Sequence, residues 1–226
     1  MNEKDFRDFK VFAKDKGISS MNLYYANKQM KHYASITPYV IEERQMNITQ
    51  LDVFSRLMMD RIIWLAGEVN DNMSVIAQSQ LMFLDNINND DINIQINSGG
   101  GSIAAGLGII NIMDYINSDV ATVNMQLCAS MGAVLLGAGE KGKRRSLGFS
   151  KTMIHMSSGG LHGTFADASI SYDQWKKTNE QIFNLLGQYT NKDPEVIKVD
   201  ANRDLWFDAQ EALDYGLVDS IITKKQ

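Results

Sequence analysis

Cysteine, proline and positive charge are all scarce in this sequence, and the absences exclude whole classes of function. The single cysteine, Cys128, allows neither a disulfide framework nor a thiolate metal cluster. Acidic residues outnumber basic ones and leave a net charge of −5, whereas a nucleic-acid binder carries a basic footprint. No apolar run approaches the roughly 18–20 residues of a membrane span. The opening MNEKDFRDFKVFAKDKG is charged throughout and lacks the apolar centre of a secretory signal. No internal repeat or low-complexity tract is present. The expectation is a soluble, cytoplasmic protein with neither nucleic acid nor membrane as a partner.

What is present is material for a core. Hydrophobic residues make up 44% of 226, which rules out global disorder and suits one large domain. Residues 1–36 read differently from the rest: Phe6, Phe9 and Phe12 sit at helical spacing, Gly17 interrupts, and a second helical piece runs from Met21 to about Tyr33. Pro38 marks a boundary, and YVIEERQM after it reads as extended.

From Leu51 the pattern alternates between helix and strand. Helical LDVFSRLMM leads into strand RIIWLAG, then a helix with Met73, Ile76, Ala77, Gln80, Leu81 and Leu84 on one face. A strand at 92–96, a helix from Ser102 to Tyr115, strand VATVNMQL and the short apolar helix ASMGAVLLGAG follow. Strand KTMIH runs into glycine-rich SSGGLHG, and a long helix extends from about Phe165 to Tyr189. Pro194 suits the first turn of another helix. Asp208 and Glu211 form a capping-box pair, Gly216 stops that helix, and LVDSII is a last strand. Strands alternating with helices predict an α/β fold with a largely parallel sheet.

The stretch INSGGGSIAAG, at the end of the 92–96 strand, admits three readings. A phosphate loop fails: Gly101 to Gly106 gives G-x-x-x-x-G, but Leu107 and Gly108 stand where the phosphate-binding lysine and hydroxyl belong. A dinucleotide fingerprint is weak: Gly99, Gly101 and Ala104 fit G-x-G-x-x-A, yet Asp119 precedes the next strand instead of ending it. The third reading is an oxyanion hole, with backbone N–H groups aimed at an oxygen that turns negative during acyl transfer.

That reading needs a nucleophile, a base and an orienting acid. Ser130 lies between a strand end and an apolar helix, flanked by Cys128, Ala129, Gly132 and Ala133. Small neighbours suit a tight strand-to-helix turn like the G-x-S-x-G elbow, with Met131 N–H as a second oxyanion donor. The competing reading of Ser130 is a helix N-cap. Three histidines compete for the base: His32 in the leader, His162 in a glycine loop, and His155 at a strand end beside that loop. Of the late aspartates Asp193, Asp200, Asp204 and Asp208, only Asp208 is accounted for, as a cap; the acid stays open.

Together these pieces resemble ClpP, the caseinolytic serine protease family of bacteria. INSGGG is similar to its I-N-S-P-G-G, ASMGA matches its A-S-M-G-A, and MIH followed by GG resembles its M-I-H-Q-P-L-G-G. NRDLWFDAQEALDYGLVDSII resembles the family's C-terminal pattern, and the likeness runs from about Pro38 to the end. The resemblance implies a ClpP/crotonase-like fold of repeated ββα units with a protruding strand-helix handle. It implies an N-terminal, propeptide-like extension over 1–36 and a protease domain over 37–226. Ser130 falls on the nucleophile, His155 on the base and Asp204 on the orienting acid. Gly101 and Met131 fall on the oxyanion donors, and Gly100, Ser158, Gly159 and Gly160 on the substrate-lining backbone. It also implies two stacked heptamers, an AAA+ unfoldase of the ClpX/ClpA type and unfolded proteins as substrates. No cofactor or metal is implied in this subunit, ATP being used by the unfoldase.

Four departures from the family pattern stand out. Gly99 replaces a proline, which loosens the glycine turn. Met156 and Ser157 replace Gln-Pro after the histidine, which predicts a less rigid substrate strand. Asn93 and Gln95 stand where most members carry tyrosines of the unfoldase pocket, although Tyr115 matches an aromatic there. The leader is also longer than usual. These suggest a second-type paralogue working in a mixed particle, and a structural subunit with a poorly organised triad is the alternative. A crotonase-like acyl-CoA enzyme is the remote one.

Overall fold

The computed structural model describes residues 39–44, 47–160 and 163–223. The expected boundary at 36/37, the paired helices of the leader, His32 and His162 all lie outside the described residues. By density of contacts the chain divides between Arg56 and Leu57. In the first unit, β1 (Tyr39–Arg44) and β2 (Asn47–Asp52) form an antiparallel hairpin, in register from Tyr39↔Asp52 to Arg44↔Asn47. The strand takes in Leu51 and Asp52, so helix α1 (Val53–Met59) starts two residues later than its pattern predicts.

The second unit is built on β3 (Ile62–Val69), β4 (Ile92–Gly101), β5 (Val120–Ala129), β6 (Arg144–Leu147) and β9 (Ser220–Ile222), which lie side by side in that order and are all parallel. Helices α2 (Asp71–Ile87) and α3 (Ile103–Tyr115) make the first two crossovers. β4 alternates as expected, with Ile92, Ile94 and Ile96 fully buried and Asn93 and Gln95 half-buried. The buried face of α2 is not the one its apolar residues suggest. Ser74, Ala77, Leu81 and Leu84 face inward while Ile76 is 58% exposed. Ser74 wins its inward place by donating to the Ala105 carbonyl at 2.6 Å. Burying each large apolar side chain stabilises by about 1.5–3 kcal/mol.

The topology has one branch, and it decides where the chemistry goes. β5 is ten residues long and changes partner midway. Thr122–Asn124 pair with Arg144–Ser146 of β6, whereas Leu127–Ala129 pair with Lys151–Met153 of β7 (Lys151–Ile154). β7 then pairs antiparallel with β8 (Leu205–Phe207), placing Ile154 opposite Leu205. Ser130 follows Ala129, His155 follows Ile154, and Asp204 precedes Leu205, so register alone brings all three to one end of the β5–β7–β8 group.

Neither β6 nor β8 is read from the sequence. Two arginines hide β6, because Arg144 is buried by virtue of a distant partner. Its guanidinium donates to both carboxylate oxygens of Asp219 at 2.9 and 2.6 Å and to the Tyr189 carbonyl at 2.8 Å. Burial works against the Asp219 charge, but the hydrogen bonds from Arg144 outweigh it and hold the carboxyl below the usual carboxylate range. The remaining helices are α4 (Met131–Gly137), α5 (Phe165–Thr190), α6 (Pro194–Asp200) and α7 (Ala209–Tyr215). The capping box of Asp208 and Glu211 and the left-handed stop at Gly216 form as expected. Among the described residues no helix is long and apolar enough to cross a membrane.

Candidate active site

Ser130 occupies the turn between β5 and α4 with φ 55° and ψ −123°, a conformation that non-glycine residues rarely adopt and that costs about 1–3 kcal/mol. It stands at the N-cap position, yet its side chain makes no capping hydrogen bond. The backbone holds the turn instead: Ser130 N–H donates to the Met153 carbonyl at 2.9 Å, and the Ser130 carbonyl accepts from Ala133 N–H at 3.0 Å. The hydroxyl is thereby left for His155, whose Nε2 lies 2.9 Å from Ser130 Oγ.

Gly100 and Gly132 supply the space this turn needs. A Cβ on Gly100, whose φ is +95°, would come within 2.6 Å of Ser130 Cβ and 2.7 Å of the Ala129 carbonyl. One on Gly132 would meet the Ser98 carbonyl at 2.8 Å. β4 and α4 can thus approach this closely only with glycine at both places. Ser98, which the motif reading passes over, braces the turn. Its buried hydroxyl donates to the Gly67 carbonyl at 2.5 Å and accepts from Gly100 N–H at 3.1 Å. A serine two residues before a glycine pair is the signal that could have found it.

Ser102 N–H is spent on the Val69 carbonyl at 2.7 Å. Gly101, with φ +148°, ends β4 so close to β3 that a Cβ on it would meet the Val69 carbonyl at 2.3 Å. Met131 N–H, in the first turn of α4, has no intrahelical acceptor.

On the other side of the imidazole, His155 Nδ1 lies 3.3 Å from Asp204 Oδ1. The other late aspartates have separate duties. Asp193 caps α6 through Glu195 N–H, Asp208 caps α7, and Asp200 accepts from the Tyr215 hydroxyl at 2.7 Å. Asp204 alone of the four reaches the histidine. Cys128, two residues before Ser130, is no rival nucleophile, since complete burial pushes its thiol well up. Beside Ser130 and His155 lies a narrow, mainly apolar depression lined by Ile103, Val134, Ile154, Ser157, Ile182 and Leu186.

The segment after the histidine is more restrained than the loss of Gln-Pro predicts. Met156 N–H donates to the Ala201 carbonyl, Ser157 N–H donates to Asn179 Oδ1 at 3.2 Å, and Trp175 Nε1–H donates to Ser157 Oγ. Ser158, Gly159 and Gly160 continue from there in neither helix nor strand. Asn93, at the other face of the sheet, accepts from Arg145 Nη2 at 2.7 Å. Among the described residues no group of acidic, histidine or cysteine side chains is arranged to hold a metal ion. A strained serine, a histidine and a carboxylate in sequence, with the Met131 N–H next in the chain at the start of a helix, can perform acyl transfer through a covalent intermediate.

The Clp protease family matches residues 43–225. The ATP-dependent Clp protease proteolytic subunit of Bacteroides thetaiotaomicron is 44% identical over 220 residues, covering 96% of this chain and 99% of that protein. The subunit of the same name from Porphyromonas gingivalis is 44% identical over 192 residues, 84% of this chain and 86% of its own. A Bacteroides fragilis subunit is 43% identical over 220 residues, 96% of this chain and 99% of that protein.

Proposed function

We propose, for a chain that belongs to the Clp protease family and is a serine peptidase subunit of it, that Ser130, His155 and Asp204 are its catalytic triad. The reading rests on one observation, the 2.9 Å contact between Ser130 Oγ and His155 Nε2 at a serine whose strained turn leaves its hydroxyl uncapped.

In this reading His155 Nε2 takes the Ser130 proton as Oγ attacks the peptide carbonyl. The carbonyl oxygen becomes negative and accepts from the Gly101 and Met131 N–H groups. His155 then gives its proton to the leaving amine, and a water deprotonated by the same imidazole hydrolyses the ester on Ser130. Asp204 keeps the Nδ1–H tautomer and stabilises the imidazolium. The peptide lies extended along Gly100 and along Ser158, Gly159 and Gly160.

The similar proteins are named as proteolytic subunits of an ATP-dependent protease. For this chain we take two stacked heptamers with α5 as the handle between rings, an AAA+ unfoldase of the ClpX/ClpA type supplying unfolded chains, and the cytoplasm as its place. The subunit needs no cofactor of its own, because ATP is consumed by the unfoldase. A fluorophosphonate probe with Ser130→Ala as control tests the triad. Covalent labelling of wild type at Ser130 and none in the variant is expected; an unlabelled Ser130 in an intact assembly would overturn the reading.

A further inference from the structure

Past His155 the chain enters Met156–Gly160, which pairs with no strand and contains two glycines. Holding such a segment in one geometry costs about 1–2 kcal/mol of backbone entropy per residue. Three contacts to α5 supply the restraint. Trp175 Nε1–H donates to Ser157 Oγ, and Ser157 N–H donates to Asn179 Oδ1 at 3.2 Å. Gly159 lies over the indole, where a Cβ built on it would be 3.6 Å from the six-membered ring.

Trp175 and Asn179 are four residues apart and therefore share one face of the helix. Over residues 165–180 α5 is almost wholly exposed, and these two are among its few half-buried positions. The indole nitrogen can only donate, and a serine both accepts through its hydroxyl and donates through its backbone. A proline at 157 would fix φ but offer neither group. Ser157 therefore replaces ring stiffness with two hydrogen bonds to a helix.

We propose that Ser157, Trp175 and Asn179 form a latch that holds residues 158–160 in the conformation that binds the substrate backbone, with Trp175 as its positioning residue. The proposal deepens the protease reading and rests on it for the role of residues 158–160. It assigns to Trp175 an effect on extended peptides and none on the Ser130–His155 chemistry itself.

The test compares two covalent probes on the full-length chain, followed as second-order rates of Ser130 modification by intact mass. A small fluorophosphonate reads the nucleophile alone; a phosphonate carrying four residues on its acyl side also reads the strand. Trp175→Phe keeps the ring but loses the N–H, and Ser157→Ala loses the acceptor. Each is expected to slow the peptidyl probe about five- to tenfold, the worth of one hydrogen bond, and in Trp175→Phe the small-probe rate should be unchanged. The double variant should be no slower than either single one, and Ser157→Thr should restore the rate. An unchanged peptidyl rate in both single variants, or equal slowing of both probes in Trp175→Phe, would overturn the latch. If the small probe fails on the wild-type chain, the triad reading falls instead. Hydrogen exchange over residues 157–160 then decides the latch separately: faster exchange in Trp175→Phe supports it and unchanged exchange refutes it.

Discussion

Ser130 sits among buried neighbours, with Ala129, Met131, Gly132 and Gly100 all withdrawn from solvent, whereas the Asp204 side chain across the imidazole is 60% exposed. The nucleophile is fixed by backbone: a strained φ, a ladder bond to Met153 and glycine contacts too close for any Cβ. The acid and the segment beyond the histidine are fixed by side-chain hydrogen bonds at the edge of the fold. Close-packed backbone has no neighbouring minimum to relax into, while an exposed side chain shares its partner with water. One half of the site is thus built to be rigid and the other to be adjustable.

The sharpest way to break the rigid half is to remove its reacting atom alone. Ser130→Ala keeps the strained turn and every backbone contact, so its melting temperature should match wild type. Peptide hydrolysis should fall by at least about 10⁴-fold. A large loss of stability would instead mean that the hydroxyl, and not the backbone, holds the turn.

Asp219 and Asp204 extend the comparison to two carboxylates that each face a cationic or basic partner. Asp219 meets Arg144, which is 3% exposed, and removing one member of such a pair leaves an uncompensated buried charge. Asp219→Asn should cost about 3–5 kcal/mol in denaturant unfolding. The native Asp219 carboxyl is held below its ordinary value by Arg144, against the effect of burial. Its stabilisation is therefore fully present above the unfolded carboxylate pKa of about 3.9 and is lost as pH falls below that. The variant should show a shallower decline of stability with acid over that window. An identical decline in both proteins would place the acid sensitivity elsewhere.

What could be read from the sequence follows the same division. Features that depend on neighbours in the chain were legible: the alternation of Ile92, Ile94 and Ile96, the Asp208–Glu211 box, the Gly216 stop, and the small residues around Ser130. Features that depend on a distant partner were not. Strand β6 is concealed by an arginine whose counterion is 75 residues away, and the inward face of α2 is set by a serine that bonds to Ala105. The choice of Asp204 needed the family resemblance, because Asp193 and Asp200 have partners that only the fold reveals. The tether of Ser157 to Trp175 spans 18 residues and replaces a stiffness that the sequence alone had suggested was lost.

Asp204→Asn probes the adjustable half. A fully buried orienting carboxylate is worth about 10⁴-fold in kcat. At 60% exposure water takes over part of the duty, so a fall of about 100-fold is expected, with little change in KM or in stability. A loss as large as that of Ser130→Ala would show that the site closes over Asp204 in the working assembly.

The finest test lies within the glycine triplet, where the two kinds of construction meet. Gly100 and Gly101 have φ of +95° and +148° and would drive a Cβ into Ser130 and Val69, so neither tolerates a side chain. Gly99, adjacent to them, has an ordinary φ and open space around the position of its Cβ. Its freedom therefore serves nothing in the folded turn and only enlarges the unfolded ensemble. Gly99→Ala should raise stability by about 0.4–1 kcal/mol and leave peptide hydrolysis at or above the wild-type rate, both measurable on one preparation. If the variant is instead stable but slow, the looseness of Gly99 is used during turnover, and the boundary between the rigid and adjustable halves runs through the oxyanion loop itself.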